Sequence, residues 1–225
     1  MIIARILCLL GGYVCGLLQT SYIYGRMNGI DIREYGSGNA GTTNALRVLG
    51  KKAGLVVFIG DLCKAIIATV LARLIIEHFY PDEVYLYIAY AGFGTVLGHN
   101  FPCYLHFRGG KGIAATAGVI IGFLDPVIII SCLIAFIAVV AVTRYVSVGS
   151  ILIVTIFAVE YGIFAFHGKY AFNMDDTTSR YAMVESVIIV IIMAVMAIYR
   201  HRANINRLIH HEENKLGAKK QTETT

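Results

Sequence analysis

Tryptophan is absent from these 225 residues, proline occurs three times, and only 15% of the chain is charged. With 57% hydrophobic residues, that scarcity of charge excludes an ordinary soluble domain. Mean hydropathy is +0.70 and the uncharged runs are long, the pattern of a polytopic membrane protein. Material for metal or disulfide chemistry is also short. Cys8, Cys15, Cys63, Cys103 and Cys132 are an odd set with no metal-ligand spacing, mostly inside apolar runs, and read as small buried hydrophobes. Residues 2–24 are too long for a removable leader and lack a small-residue cleavage site, so a first span is expected there. The net charge is +5, but its distribution says more than its sum.

What is present is apolar sequence in seven runs, at about 2–24, 53–76, 84–98, 113–124, 126–143, 147–166 and 183–199. A span needs roughly 20 apolar residues to cross ~30 Å of hydrocarbon. The runs at 84–98 and 113–124 fall short, as tilted or re-entrant helices do. Charge tests the count. Loop 25–52 carries Arg26, Arg33, Arg47, Lys51 and Lys52, and the loop after 98 carries Arg108 and Lys111. Arg144 stands in the next such turn, and the tail holds Arg200, Arg202, Arg207, Lys215, Lys219 and Lys220. These segments share a side only if all seven runs cross. Positive loops stay inside. The expectation is a single all-α domain over 1–225, with seven transmembrane helices, the N-terminus outside, the C-terminus cytoplasmic and a flexible tail over about 210–225.

Charged residues at membrane depth are few. Asp61 and Lys64 lie three apart on one helix face, and Arg73 and Glu77 four apart further along. The first pair is a candidate for function as much as for neutralisation, the second reads as structural, and Glu160 has no partner in sequence.

The inside loops carry the chemistry. Gly98-His99-Asn100-Phe101-Pro102 leads into Arg108-Gly109-Gly110-Lys111-Gly112 ahead of an apolar helix. Glycine N–H groups, a lysine and the positive end of that helix suit a phosphate cradle. Gly112 follows Lys111 where a Walker loop has Ser or Thr, and no glycine stands five before Lys111, so nucleotide hydrolysis is not expected. The first loop reads Gly36-Ser37-Gly38-Asn39-Ala40-Gly41-Thr42-Thr43-Asn44-Ala45-Leu46-Arg47. Its Gly36-x-Gly38-x-x-Gly41 spacing imitates a dinucleotide fingerprint but lacks the buried strand that motif needs. What remains is a run of short donors, Ser37, Asn39, Thr43 and Asn44, ending in the planar fork of Arg47. A helix cap explains one such residue and not the run. The tail from His201 to Glu213 reads as a cationic anchor on anionic lipid, yet it sets His201 and Asn204 on one face at the membrane boundary. A histidine there can move a proton or bond a phosphate. Arg144 and Ser147 add a cation and a hydroxyl to the same side.

Together these segments resemble the three motifs of the acyl-phosphate-dependent glycerol-3-phosphate acyltransferases of bacterial membranes, over nearly the whole chain. The first motif corresponds to Gly36–Arg47, the second to Gly98–Gly112 and the third to His201–Glu213. Asp61 with Lys64, and Arg144 through Ser150, also match family positions. One position departs: His211 stands where the third motif has a glycine, shortly before Glu213. The resemblance implies acyl transfer from acyl phosphate to sn-glycerol 3-phosphate at the bacterial cytoplasmic membrane, with no cofactor, no metal, no nucleic acid and a monomeric enzyme among membrane lipids. It implies catalytic roles for Ser37, Arg47, His201 and Asn204. Substrate contacts are expected from Asn39, Thr43, Asn44, Asp61, Lys64, His99, Gly109, Gly110, Lys111, Gly112, Arg144, Ser147 and Glu213. The seven histidines have no Asp five residues on, which argues against the acyl-thioester class. A transporter of a phosphorylated metabolite is the competing class, although the cations gather at one surface and no internal repeat is evident.

Overall fold

A computed structural model describes residues 2–170 and 172–217, and these are helical throughout with short turns between. The helices are α1 (Ile2–Gly16), α2 (Thr20–Met27), α3 (Thr42–Leu49), α4 (Lys51–Ile76), α5 (Val84–Asn100), α6 (Ile113–Gly122), α7 (Pro126–Thr143), α8 (Val146–Phe166), α9 (Thr177–Arg200) and α10 (Arg202–Ile209). Five segments are long and apolar enough to cross a membrane: Ile2–Met27, Lys51–Ile76, Pro126–Thr143, Val146–Phe166 and Thr177–Arg200. At 1.5 Å per residue, the ten residues of α6 cover only about half of a ~30 Å core. Ile67, Leu71, Leu74 and Ile75 of α4 and Ile130, Leu133, Ile134 and Ile137 of α7 are exposed, as suits an apolar solvent.

Two features depart from the runs read in the sequence. The first run is not continuous, because the helix opens over residues 17–19. The polar atoms released there are claimed inside the protein. Gln19, fully buried, directs Nε2 at the carbonyls of Gly16, Gly98 and His99, 3.1–3.2 Å away. The second departure is Arg73. Rather than pairing with Glu77, it lays its guanidinium 4.9 Å above the Tyr85 ring and donates to the Phe123 carbonyl at 3.2 Å. Glu160 accepts a bond from Ser131 Oγ at 2.6 Å.

α1 and α5 cross at backbone contact. A β-carbon on Gly12 would lie 2.0 Å from the Ala91 carbonyl oxygen, and one on Gly16 2.3 Å from that of Thr95. From the other side, Gly94 and Gly98 meet the carbonyls of Leu9 and Tyr13 at 2.1 and 2.2 Å. Both pairs have the four-residue spacing of small residues that lets membrane helices approach closely. This seam fixes the end of α5, and therefore the loop that follows it.

The bundle has two ends. At one, Asp125 caps α7 and holds Lys169 at 2.7 Å and Tyr170 at 2.9 Å, while Ser179 donates to the Asp82 carbonyl. At the other, Arg33 donates to the Leu105 carbonyl, Arg200 to those of Gly109 and Gly110, and Arg144 to that of Leu216. The tail therefore runs back across this second end as far as residue 217, with Leu216 N donating to the Arg144 carbonyl at 2.7 Å. Residues 218–225, with Lys219 and Lys220, lie outside the described residues.

Candidate active site

Asn44 shapes the first loop from below. Its side-chain amide donates to the carbonyls of Ile32 and Tyr35 at 3.1 and 2.9 Å, and its Oδ1 accepts from the Ser37 N–H at 2.9 Å. Gly36 and Gly38, with φ of +63° and +68°, let the backbone turn around that amide, which a β-carbon on Gly36 would strike at 2.4 Å. Asn44 is thus buried and fully engaged with the loop, so the direct substrate contact expected of it is corrected to a supporting one. Asp31 and Arg33 brace the same loop through a two-pronged pair at 2.7 and 2.9 Å. Those bonds hold the Asp31 carboxyl down at about 2.

The glycines of the second loop serve closeness of packing more than anion binding. The N–H groups of Gly110 and Gly109 donate to the carbonyls of His99 and Asn100 at 3.1 and 3.2 Å, folding the loop against the end of α5. They are not free for a phosphate, contrary to the cradle read from the sequence. A β-carbon on Gly109 would meet the His99 carbonyl at 2.0 Å, and one on Gly110 the His99 ring at 2.1 Å. Gly112 stands at φ +81° as α6 begins.

Lys111 leaves this loop at the surface and bonds Asn204 Oδ1. Asn204 in turn donates through Nδ2 to Glu213 at 2.7 Å. Glu213 also accepts from Arg207 at 2.8 Å and from Ser147 Oγ at 3.2 Å. His211 takes the left-handed φ of +61°, the conformation for which glycine is suited. The turn forms without glycine, and Glu213 reaches its partners. Burial, with the positive charges of Arg207, Arg200 and Arg47 nearby, pulls the Lys111 ammonium down to about 8, against the opposite pull of Glu213.

His201 lies at the junction of α9 and α10, 3% exposed, with Nδ1 2.7 Å from the Ala197 carbonyl. That contact places the proton on Nδ1 and leaves Nε2 as the acceptor. Burial lowers its pKa to about 4, with Lys111 and Arg200 adding to the fall, so the ring is neutral at pH 7.

Between the three loops lies a cleft of about 300 Å³. Ser37, Gly38 and Asn39 form one wall, Phe107, Arg108, Gly109 and Lys111 the second, and Arg200, Asn204 and Arg207 the third. Several expected residues stand back from it. Arg47 and Thr43 lie on α3 outside the lining, and Arg144 is engaged with the tail. Asp61, Lys64 and His99 are buried behind the second loop, with Lys64 Nζ 2.8 Å from Asp61 and 2.9 Å from His99 Nδ1. Conversely, Arg200, Arg207, Arg108 and Phe107 line the cleft and were not among the residues expected there. Arg200, Asn204 and Arg207 follow an i, i+4, i+7 spacing that marks one helix face, a signal masked in the sequence by the tail's likeness to a lipid anchor.

The comparisons with known proteins agree with this architecture. A family model described as glycerol-3-phosphate acyltransferase matches residues 6–211. Proteins of that name from Clostridioides difficile and Halalkalibacterium halodurans are 40% and 38% identical to this chain. The alignments cover 93% and 96% of it, and 94% and 97% of those relatives. The Bacillus subtilis protein of the same name is 38% identical over 96% of this chain and 98% of its own. Among solved structures, PlsY (YgiH), an integral membrane glycerol 3-phosphate acyltransferase, superposes in its glycerol 3-phosphate form with a TM-score of 0.78 at 30% identity. That alignment covers 95% of this chain and 96% of PlsY, and a lysophosphatidic acid form superposes at 0.74. With sequence, fold and loop order in agreement over almost the full length, this chain belongs to the glycerol-3-phosphate acyltransferase family.

Proposed function

We propose that the protein transfers an acyl group from acyl phosphate to the 1-hydroxyl of sn-glycerol 3-phosphate, giving lysophosphatidic acid and inorganic phosphate. The observation that carries this is one cleft, at one end of an apolar bundle, into which loops from three distant parts of the chain bring Lys111, Arg108, Arg200 and Arg207 beside Ser37 and Asn39. Two phosphorylated substrates repel each other, and four cations offset that repulsion. An acyl phosphate is a mixed anhydride and needs neither a protein nucleophile nor a metal to react.

In the step itself, the glycerol hydroxyl oxygen bonds to the acyl carbon while the acyl carbon–oxygen bond to phosphate breaks. Lys111 and the arginines stabilise charge on the departing phosphate, and Ser37 and Asn39 offer hydrogen bonds to the carbonyl oxygen as it becomes negative. The hydroxyl proton passes to the departing phosphate, whose second pKa is near ~6 in phosphate monoesters. His201, with a pKa of about 4, is the weaker base and serves as a neutral hydrogen-bonding partner.

All seven apolar runs cross in this reading, with the cleft facing the cytoplasm of a bacterial cell, the N-terminus outside and the protein working as a monomer. Support comes from the alternation of helix ends between the two faces and from the arginines around the cleft. The short α6 fits because other helices shield it. An exchanger of phosphorylated metabolites has the broken first helix in its favour, yet Lys64 and Gln19 occupy the carbonyls that such a protein would offer an ion.

Purified protein supplied with acyl phosphate and labelled glycerol phosphate, with acyl-CoA and acyl-carrier protein as rival donors, tests the reading. Lysophosphatidic acid is expected from acyl phosphate alone. Counterflow of glycerol phosphate without product would overturn the proposal.

A further inference from the structure

The opening between α1 and α2 exposes carbonyls inside the protein, and a cation occupies it. Lys64 Nζ donates to the Leu18 carbonyl at 2.6 Å and to Asp61 Oδ1 at 2.8 Å, and lies 3.3 Å from the Gly16 carbonyl. Its remaining neighbour is His99 Nδ1 at 2.9 Å. An ammonium group has three protons and no lone pair, so each group facing it must be an acceptor. Asp61 Oδ1 is 3.5 Å from the same ring nitrogen, too far to compete for a proton there. The unprotonated nitrogen of His99 is therefore Nδ1, and the proton sits on Nε2.

Nε2 makes no hydrogen bond within the described residues, although His99 is only 3% exposed. It abuts Gly110, where a β-carbon would come within 2.1 Å of it. Gly110 lies between Gly109 and Lys111, which both line the cleft. No side chain at position 110 stands between this N–H and that loop.

We infer that His99 Nε2–H is a hydrogen-bond donor set behind Gly110 for an anionic phosphate oxygen bound in the cleft, and that Lys64 is the positioning residue that fixes its tautomer. The identity of the substrate rests on the proposed reaction; the tautomer does not. Gly110 is then required because any side chain would close the approach to Nε2.

Nuclear magnetic resonance of protein labelled with 15N in its histidine rings reads the tautomer directly, with His99→Gln assigning the signal. An Nε2–H form is expected in the parent protein, and Lys64→Met should shift it toward Nδ1–H. An Nδ1–H form in the parent would overturn the inference. Kinetics supply the second arm. His99→Phe should lower kcat/KM by about 10²-fold, and His99→Gln, whose amide can donate into the same space, should recover most of that loss with an unchanged pH profile. Whichever KM rises, that for glycerol phosphate or for acyl phosphate, identifies the phosphate concerned. A folded His99→Phe enzyme as active as the parent, or a His99→Gln enzyme no better than His99→Phe, would also overturn it. Failure of the parent to make lysophosphatidic acid would strike the proposed reaction and leave the resonance result standing.

Discussion

At the residue scale, Lys111 gives the most direct reading of the cleft. Its ammonium is charged at pH 7 but titrates near 8, chiefly because it is buried. Phosphate binding that depends on this charge should weaken as pH rises past about 8, seen as a rising KM for glycerol phosphate. Glu213→Gln removes the negative neighbour that holds the Lys111 pKa up, so the rise should begin at lower pH. An unchanged KM profile in that variant would count against the contact. The same titration acts on stability with the opposite sense. A lysine whose pKa drops from 10.5 on folding binds fewer protons than the unfolded chain between about 8 and 10.5, so stability should increase over that interval. His211 is the second case. Its left-handed backbone costs roughly 1–2 kcal/mol in a residue with a β-carbon. His211→Gly should therefore keep activity and, after glycine's greater unfolded-state entropy is subtracted, leave thermal stability level or slightly raised. A large drop would mean that the imidazole itself holds the turn.

Among the elements, loops and helix ends decide more than the helices do. Asn44→Ala removes three hydrogen bonds beneath the first loop and leaves two carbonyls and one N–H without their partner. The expected cost is about 1–3 kcal/mol per buried group left unsatisfied, with catalytic activity falling because Ser37 and Asn39 lose their placement. Chemical denaturation and steady-state rates on the same preparation check both. The sequence made these loops visible as places where glycine, amide and cation cluster, but the division of labour was hidden. Asn44 and Ser37 look alike in a string of small polar residues, and only the fold turns one inward. Gly109 and Gly110 suggest an anion nest from composition, whereas their N–H groups depend on what α5 presents behind them. The Gly12/Gly16 and Gly94/Gly98 pairs that set this geometry were legible as four-residue spacings, while their partnership across distant parts of the chain was not.

For the whole molecule, the arrangement of the two ends makes a prediction about sidedness. Cys103 is exposed beside the cleft, and Lys169 is partly exposed at the opposite end. With seven crossings, a membrane-impermeant maleimide should label Cys103 only from the cytoplasmic side, and a cysteine introduced by Lys169→Cys only from the outer side. Labelling of both from one side would require a different number of crossings. The apolar runs and the basic loops were enough to propose this topology from sequence, because bilayer thickness and charge asymmetry act on composition alone. The opening at residues 17–19 was not foreseeable, since Lys64 and the carbonyls around Gln19, which make it tolerable, come from elsewhere in the chain.

The link from Ser147 through Glu213 to Asn204 and Lys111 has a consequence for biogenesis. Glu213 follows every membrane helix described, so a nascent polypeptide still waiting for α9 to partition into lipid has its early loops in place without the clasp that completes them. Such an unfinished chain would hold a reactive anhydride poorly, and competence would arrive late, in one step, when the final segment folds back across the assembled helices.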